Sequence, residues 1–340
     1  MKKNLLLLIS GTVSFFLVMT FITLPIVFAG PIKLNYANFP PPKTFPSVQM
    51  DRWAKEIEKR TNGAVIIKTF PGGTLIGAKN MFDGIVAGTA DIGCFCMAYQ
   101  PGRFMVTNAS GLPLGAPNSK VGTLVLWDLY KKYNPKAFSK VKVIAMFNTY
   151  PANIMSKVPV RNLNDLKGLE LRASGPAVAA LKAWGATPVG MPMPQTVEAL
   201  QKGIVQGLFS SGEVMKDFNF AEYTKYMTMT RRVMYPFAVA MNMDSWNKLP
   251  KNVQKIIEDL SLEHSMWTAN YHDNHVIEAL EWSQKNHNIE VIEIPKAEMV
   301  KWDKLLEPVI ANWIEEANAK GLPGKAIVDD IRKFTKKHGG

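Results

Sequence analysis

The sequence predicts an α/β protein of two domains facing each other across a cleft, and three observations carry that expectation. Strand-like and helix-like segments alternate from Ile32 to Met97. A second alternation begins near Lys142 and runs to Met241. From Pro250 to His287 no internal proline or glycine interrupts a helical pattern longer than one small domain needs.

Taken in order, Ile32–Ala37 reads as a first strand and Asn38-Phe39-Pro40-Pro41-Pro42 as a rigid loop, since prolines fix φ and cannot donate to a ladder. Ser47–Arg60 is an amphipathic helix with Val48, Trp53 and Ile57 near one face. Thr61-Asn62-Gly63 stops it with residues that tolerate left-handed geometry. Ala64–Phe70 is a second strand, Pro71-Gly72-Gly73 a turn, and Ala78–Ala87 a helix ended by Gly88. Ala90–Met97 is a buried strand holding both cysteines, Cys94 and Cys96. Two strand residues at that spacing share a face with poor bridging angles, so buried free thiols are expected rather than a disulfide or a metal pair. This alternation implies parallel strands with crossing helices.

In the second set, Val143–Phe147, Leu169–Arg172 and Val205–Phe209 are strands, with Ala177–Ala183 and Val197–Lys202 as helices. Met234–Met241 is a strand placed to cross back between domains. Pro250 suits a first helical turn. The helix after it would run ~57 Å at 1.5 Å per residue, long enough to lie along both domains. Val291–Ile294 is a short strand, and Met299–Ala319 a helix carrying Trp302 and Trp313. The expected division is 30–149 with about 238–277 as domain I, and 150–237 with about 278–340 as domain II. Ligands of open α/β sheets sit beyond the strand carboxyl ends, and a hinged cleft buries them on closing.

Residues 1–29 read as an export signal. Lys2 and Lys3 precede an apolar run to Val27, and Val27-Phe28-Ala29 offers a cleavage site after Ala29. About 20 apolar residues also suffice to span a bilayer, so an uncleaved anchor is the competing reading. The formal charge is +12, and removing Lys2 and Lys3 leaves +10. Its lysines are scattered apart from Lys333–Lys337, a solvated helix end, and export argues against nucleic acid as a partner.

No enzyme motif stands out. Gly72–Lys79 lacks the spacing and the following Ser or Thr of a phosphate-binding loop, and neither G-x-S-x-G nor H-E-x-x-H occurs. His272 and His275, with Asp273 or His264, have helical spacing open to a metal, but a solvated polar helix face is the expected reading. No cofactor is expected. Arg172 ends the stretch Leu166-Lys167-Gly168-Leu169-Glu170-Leu171-Arg172, at the carboxyl end of a predicted strand. An arginine there suits a carboxylate, because its planar fork donates two parallel hydrogen bonds. Position alone leaves a surface salt bridge as the other reading.

That stretch, followed by Ala183-Trp184-Gly185-Ala186-Thr187-Pro188-Val189 and by Val197–Gly207, resembles the DctP-type periplasmic binding proteins of TRAP transporters. Glu58–Gly63, Pro71–Gly77, Gly84–Asp91 and Leu112-Pro113-Leu114 resemble further motifs of that family in the same order. The resemblance covers nearly all of the chain after residue 29. It implies a periplasmic-binding-protein-like fold with a hinged cleft and a long helix spanning both domains. It also implies that Arg172 grips the carboxylate of a small organic acid, with no catalysis. Other contact positions that it implies are Asn38, Phe39, Cys96, Met193 and Ser210, with Glu213 and Tyr235 near the cleft. The implied partners are the acid and the membrane subunits of a TRAP-type transporter. A sensor subunit serving a membrane receptor, or an enzyme on the same architecture, are the alternatives.

Sialic-acid-type members of that family carry a second arginine where this chain has Ala152, and an asparagine where it has Ser210. A sugar acid is therefore not expected. One arginine with Phe, Met, Cys and Tyr nearby fits a monocarboxylate with an apolar body, and a small dicarboxylate or sulfonate stays open.

Overall fold

The computed structural model describes residues 30–340. The expected export signal at residues 1–29 lies outside the described residues. Strand β1 (Ile32–Asn38) leads through the proline loop into helix α1 (Phe45–Arg60). Pro46 stands in the first turn of α1, where its missing N–H has no intrahelical partner to lose. The helix buries Phe45, Met50, Trp53 and Ile57, and Trp53 meets the Tyr36 ring of β1 edge-on at 5.9 Å. Each fully buried aliphatic or phenyl side chain contributes about 1.5–3 kcal/mol, which holds α1 on its sheet. The helix stops at Asn62 and Gly63, both at positive φ.

The chain continues through β2 (Val65–Phe70), α2 (Met81–Val86), β3 (Ile92–Cys96), α3 (Met105–Asn108), α4 (Ser119–Tyr133) and β4 (Val141–Asn148). It then forms β5 (Asn153–Ser156), β6 (Glu170–Ala173), α5 (Pro176–Ala183), β7 (Thr187–Gly190), α6 (Thr196–Gln201) and β8 (Gly207–Ser210). Next come α7 (Val214–Asp217), β9 (Tyr226–Met229), β10 (Pro236–Asn242), α8 (Met243–Lys248) and α9 (Lys251–His287). The last elements are β11 (Glu290–Glu293), α10 (Lys296–Ala319) and α11 (Gly324–Gly339).

Two sheets result. The first has the order β2-β1-β3-β10-β4 and the second β11-β9-β5-β8-β6-β7. The α/β class and the long helix are as expected, but the sheets are mixed rather than parallel. In the first, β1 pairs parallel with β2 and β3, whereas β10 runs antiparallel between β3 and β4. The chain re-enters this sheet from the second one, and so inserts β10 against its neighbours. In the second, β6 is parallel to β7 and β8, while β5 is antiparallel to β8 and β9.

Helix α9, about 55 Å long at 1.5 Å per residue, packs on α1, α4 and β4 of the first sheet and on α7 beside the second. Its Asp273 carboxylate accepts from Ser119 N at 2.7 Å and Lys120 N at 3.2 Å, capping the start of α4. Helix α11 had been expected to follow the second sheet. It instead lays Ile327, Val328 and Ile331 on Val121, Val125 and Leu129 of α4, beside the first. The outward stripe of α4 is apolar and takes the apolar face of α11 as its cover. No described helix is long and apolar enough to cross a membrane.

Candidate functional site

Arg172 lies near the carboxyl end of β6 and is 1% exposed. Its Nε donates to Met191 O at 2.9 Å, and its Nη2 reaches Ser174 Oγ at 3.4 Å. Among the described residues no ion pair involves Arg172. The polar groups around it supply no anion either. Burial pushes the Cys96 thiol up to about 12 despite two backbone hydrogen bonds and the guanidinium. Burial likewise pushes the Tyr99 phenol up to about 12 and raises Tyr235 further. At neutral pH all three are uncharged, so the buried cation has no anion in direct contact, although the Glu213 and Asp217 carboxyls line the same cavity. An ion taken out of water costs several kcal/mol unless a partner offsets it.

Arg172 faces a cavity between the two sheets, lined by groups from both. The cavity and its mouth hold about 430 Å³ of atom-free space, of which about 40 Å³ admits the centre of a water molecule. That is room for a few waters, each needing roughly 10–15 Å³ on this measure, so the space is a narrow slot. Aromatic faces form its walls. Phe39 stacks over Phe237 at 6.2 Å and meets Tyr99 at 5.5 Å. Phe45 meets Phe237 at 5.9 Å.

Of the residues expected from the sequence, Arg172, Ser210, Met193, Phe39, Cys96, Glu213 and Tyr235 line this slot. Asn38 does not. It is fully buried, and its amide donates to Pro46 O at 2.7 Å and Ser47 Oγ at 3.4 Å, while Oδ1 accepts from Phe39 N at 3.0 Å. Its hydrogen-bonding capacity is spent on shaping the loop between β1 and α1. Tyr235 donates its hydroxyl to Phe209 O, which anchors the β10 side of the slot to β8.

Several lining residues were not anticipated: Phe45, Tyr99, Phe237, Thr149, Ser211 and Asp217. Phe45 had a signal in Pro46, which marks a helix start beside the cleft. Phe237 pairs with Cys96 across the ladder, a register invisible until β10 is known to insert there. Asp217 had no local signal.

The acidic side of the slot rests on α9. Glu213 is 2% exposed; its Oε1 accepts from Ser211 Oγ at 2.8 Å, and its Oε2 lies 3.0 Å from His272 Nε2. Tyr150 N donates to His272 Nδ1 at 3.0 Å, which assigns the ring proton to Nε2. Asp217 accepts from Phe45 N at 3.0 Å through Oδ2 and lies 2.7 Å from His275 Nε2 through Oδ1. Burial raises the Asp217 carboxyl, and His275 only partly offsets this. The histidines of α9 thus form no solvated face, contrary to expectation. His264 and His272 are fully buried and His275 is 7% exposed, because both α1 and α7 pack over that side of the helix. His264 lies 2.8 Å from Gln49 Oε1, and burial, with the charge of Arg52, pulls it down to about 3.

Besides the Tyr235 hydroxyl bond to Phe209 O, hydrogen bonds from Phe45 N to Asp217 Oδ2 and from Met193 N to Tyr99 Oη, both at 3.0 Å, bridge the cleft. The sides also meet where Gly175, at φ +54°, lies against Ala98. A Cβ at Gly175 would come within 2.7 Å of the Ala98 Cβ, so only glycine permits this approach.

With this geometry in hand, comparison with known proteins is decisive for the family. Residues 36–316 match the family model of the bacterial extracellular solute-binding proteins, family 7, also called DctP. The chain belongs to the DctP family. A TRAP periplasmic solute-binding protein of Desulfovibrio salexigens is 52% identical, with a TM-score of 0.81 over 91% of this DctP-family chain and 97% of that one. A TRAP solute-binding protein of Rhodoferax ferrireducens, solved with copurified benzoate, is 25% identical, with a TM-score of 0.87 over 91% and 98%. A solute-binding protein of Verminephrobacter eiseniae is 27% identical over 219 residues, which cover 62% of this chain and 65% of that protein's length. These relatives are solute-binding proteins, two of them of the TRAP type.

Proposed function

We propose that this protein is an exported receptor that captures a small organic acid in the slot and delivers it to a TRAP-type membrane transporter, without chemically changing it. The observation that carries this reading is Arg172: a buried guanidinium with no anion of its own. A solute carboxylate supplies the missing charge, taken by the free N–H groups of the fork with help from Ser174, Ser210 and Tyr99. The copurified benzoate of the Rhodoferax relative and the aromatic walls here support an acid with a flat apolar body. In this reading residues 1–29 are the export signal, cleaved after Ala29, and the two sheets anchor the two domains that close over the solute.

Energetics agree with a shared task. Micromolar affinity requires about 8 kcal/mol. One charge-assisted pair contributes a few kcal/mol, so burial of the solute's apolar face against Phe39, Phe237, Met193 and Cys96 must supply much of the rest. That makes the wall residues the ones that set specificity.

The test is thermal denaturation of residues 30–340 with pairs of acids and their primary amides, alongside sulfonates and neutral sugars. A solute at 100 times its Kd adds about 2.7 kcal/mol of stability. Stabilisation by acids and not by their amides is the expected outcome. Equal stabilisation by acid and amide, or by sugars alone, would refute a carboxylate receptor.

A further inference from the structure

Arg172 is not the only charged group on the slot wall. Glu213 is also buried there, 2% exposed. Its Oε1 is satisfied by the Ser211 hydroxyl. Its Oε2 receives no hydrogen bond, although His272 Nε2 is 3.0 Å away, and that Nε2 makes none either. The ring N–H is not aimed at the carboxylate oxygen. Buried polar atoms are almost always paired in folded proteins, and an open charged acceptor is among the costlier exceptions.

The neighbouring acid is not in this position. Asp217 uses one oxygen on Phe45 N and faces His275 with the other. Thr149 Oγ1 accepts from Tyr235 N. Among the described residues that line the slot, Glu213 Oε2 is a buried charged acceptor without a hydrogen bond. Burial pushes its carboxyl up, but the adjacent His272 ring, the Ser211 hydroxyl and its own backbone N–H outweigh burial and hold it below the usual range. An ionised carboxylate accepts and never donates.

Resting on the reading of the slot as a carboxylate site, we propose that Glu213 Oε2 receives a hydroxyl or N–H of the solute. The solute is then an organic acid carrying a hydrogen-bond donor besides its carboxylate. A plain hydrocarbon acid leaves Oε2 bare inside the closed complex. A second carboxylate would meet a like charge in a desolvated space, which removes the dicarboxylate from the candidates left open by the sequence. Sites built to bond a substrate hydroxyl discriminate strongly against the analogue lacking it, because a buried polar group is left unpaired.

The experiment is calorimetric titration of matched sets: a parent acid, its hydroxy derivatives and their methyl ethers, in a benzoate and a short aliphatic series, against wild type and Glu213→Gln. The ether keeps the oxygen and removes the donor. At least one hydroxy acid should bind about tenfold or more tighter than both its parent and its ether, the scale of a hydrogen bond to a charged group. In Glu213→Gln that ratio should shrink below about threefold. Wild-type affinities that ignore the donor, or a preference that persists in the variant, overturn the assignment while leaving the carboxylate reading standing. Failure of every acid in both series overturns the underlying reading and this one with it. If Glu213→Gln does not fold, the wild-type comparison of hydroxy acid with ether decides alone.

Discussion

Replacing Arg172 by methionine separates a charge kept for the fold from one kept for an anion. In the ligand-free protein the substitution removes two hydrogen bonds, to Met191 O at 2.9 Å and to Ser174 Oγ at 3.4 Å. Each contributes about 0.5–1.5 kcal/mol, the longer one at the low end. The same substitution removes a guanidinium that is 1% exposed and has no anionic partner, a desolvation cost of several kcal/mol. The second effect outweighs the first, so the ligand-free variant should be at least as stable as wild type. Binding should respond in the opposite sense. Two charge-assisted hydrogen bonds to the solute, at about 1.5–3 kcal/mol each, correspond to a loss of about 10²- to 10⁴-fold in affinity. Urea denaturation without ligand and calorimetry with it measure the two sides. A ligand-free variant less stable than wild type by more than about 2 kcal/mol, or one that binds as tightly, would refute the argument.

Two further predictions concern α9. Burial pulls the His275 ring down, but its hydrogen bond to Asp217 and the Asp217 charge more than offset this and raise it above the ordinary 6.5. A cation-forming group raised by folding contributes stability that is complete below 6.5 and lost as pH rises through its folded value. The urea midpoint should therefore fall as pH rises from about 6.5, and His275→Gln should flatten that fall; a wild-type midpoint that climbs over this window would contradict the assignment. Asp273→Ala removes the carboxylate that caps the start of α4 and should cost about 0.5–2 kcal/mol. Solute affinity should stay within about threefold, since Asp273 does not line the slot; a loss confined to affinity would count against the capping role.

The local parts of this architecture were legible in the sequence. Proline and glycine punctuation delimits β1, α1, β2 and β3 to within a few residues, and the unbroken span after Pro250 defines α9. Arg172 stood out at a predicted strand end, where ligands of α/β folds sit, but position left a surface salt bridge equally open and only the family resemblance pointed to a ligand role. Strands β5, β7 and β9 were missed: each has four residues, and β5 is buried throughout, so none shows the two-residue alternation of a half-exposed strand. Helix α4 did carry signals, in Asn118, whose side chain accepts from Val121 N, and in Val121, Val125 and Leu129 at helical spacing. The acidic side of the slot was only half visible. Glu213 stood just after a recognisable strand, whereas the value of Asp217 depends on Phe45, 172 residues away. The histidines of α9 were misjudged for the same reason, since spacing on one helix says nothing about what is laid over it.

The hydrogen bonds that span the cleft, from Phe45 N to Asp217, from Met193 N to Tyr99 and from the Tyr235 hydroxyl to Phe209 O, are made by the protein to itself. Every solute accordingly inherits the same clamping free energy, whatever its chemistry. The ranking of solutes is then decided inside the slot alone.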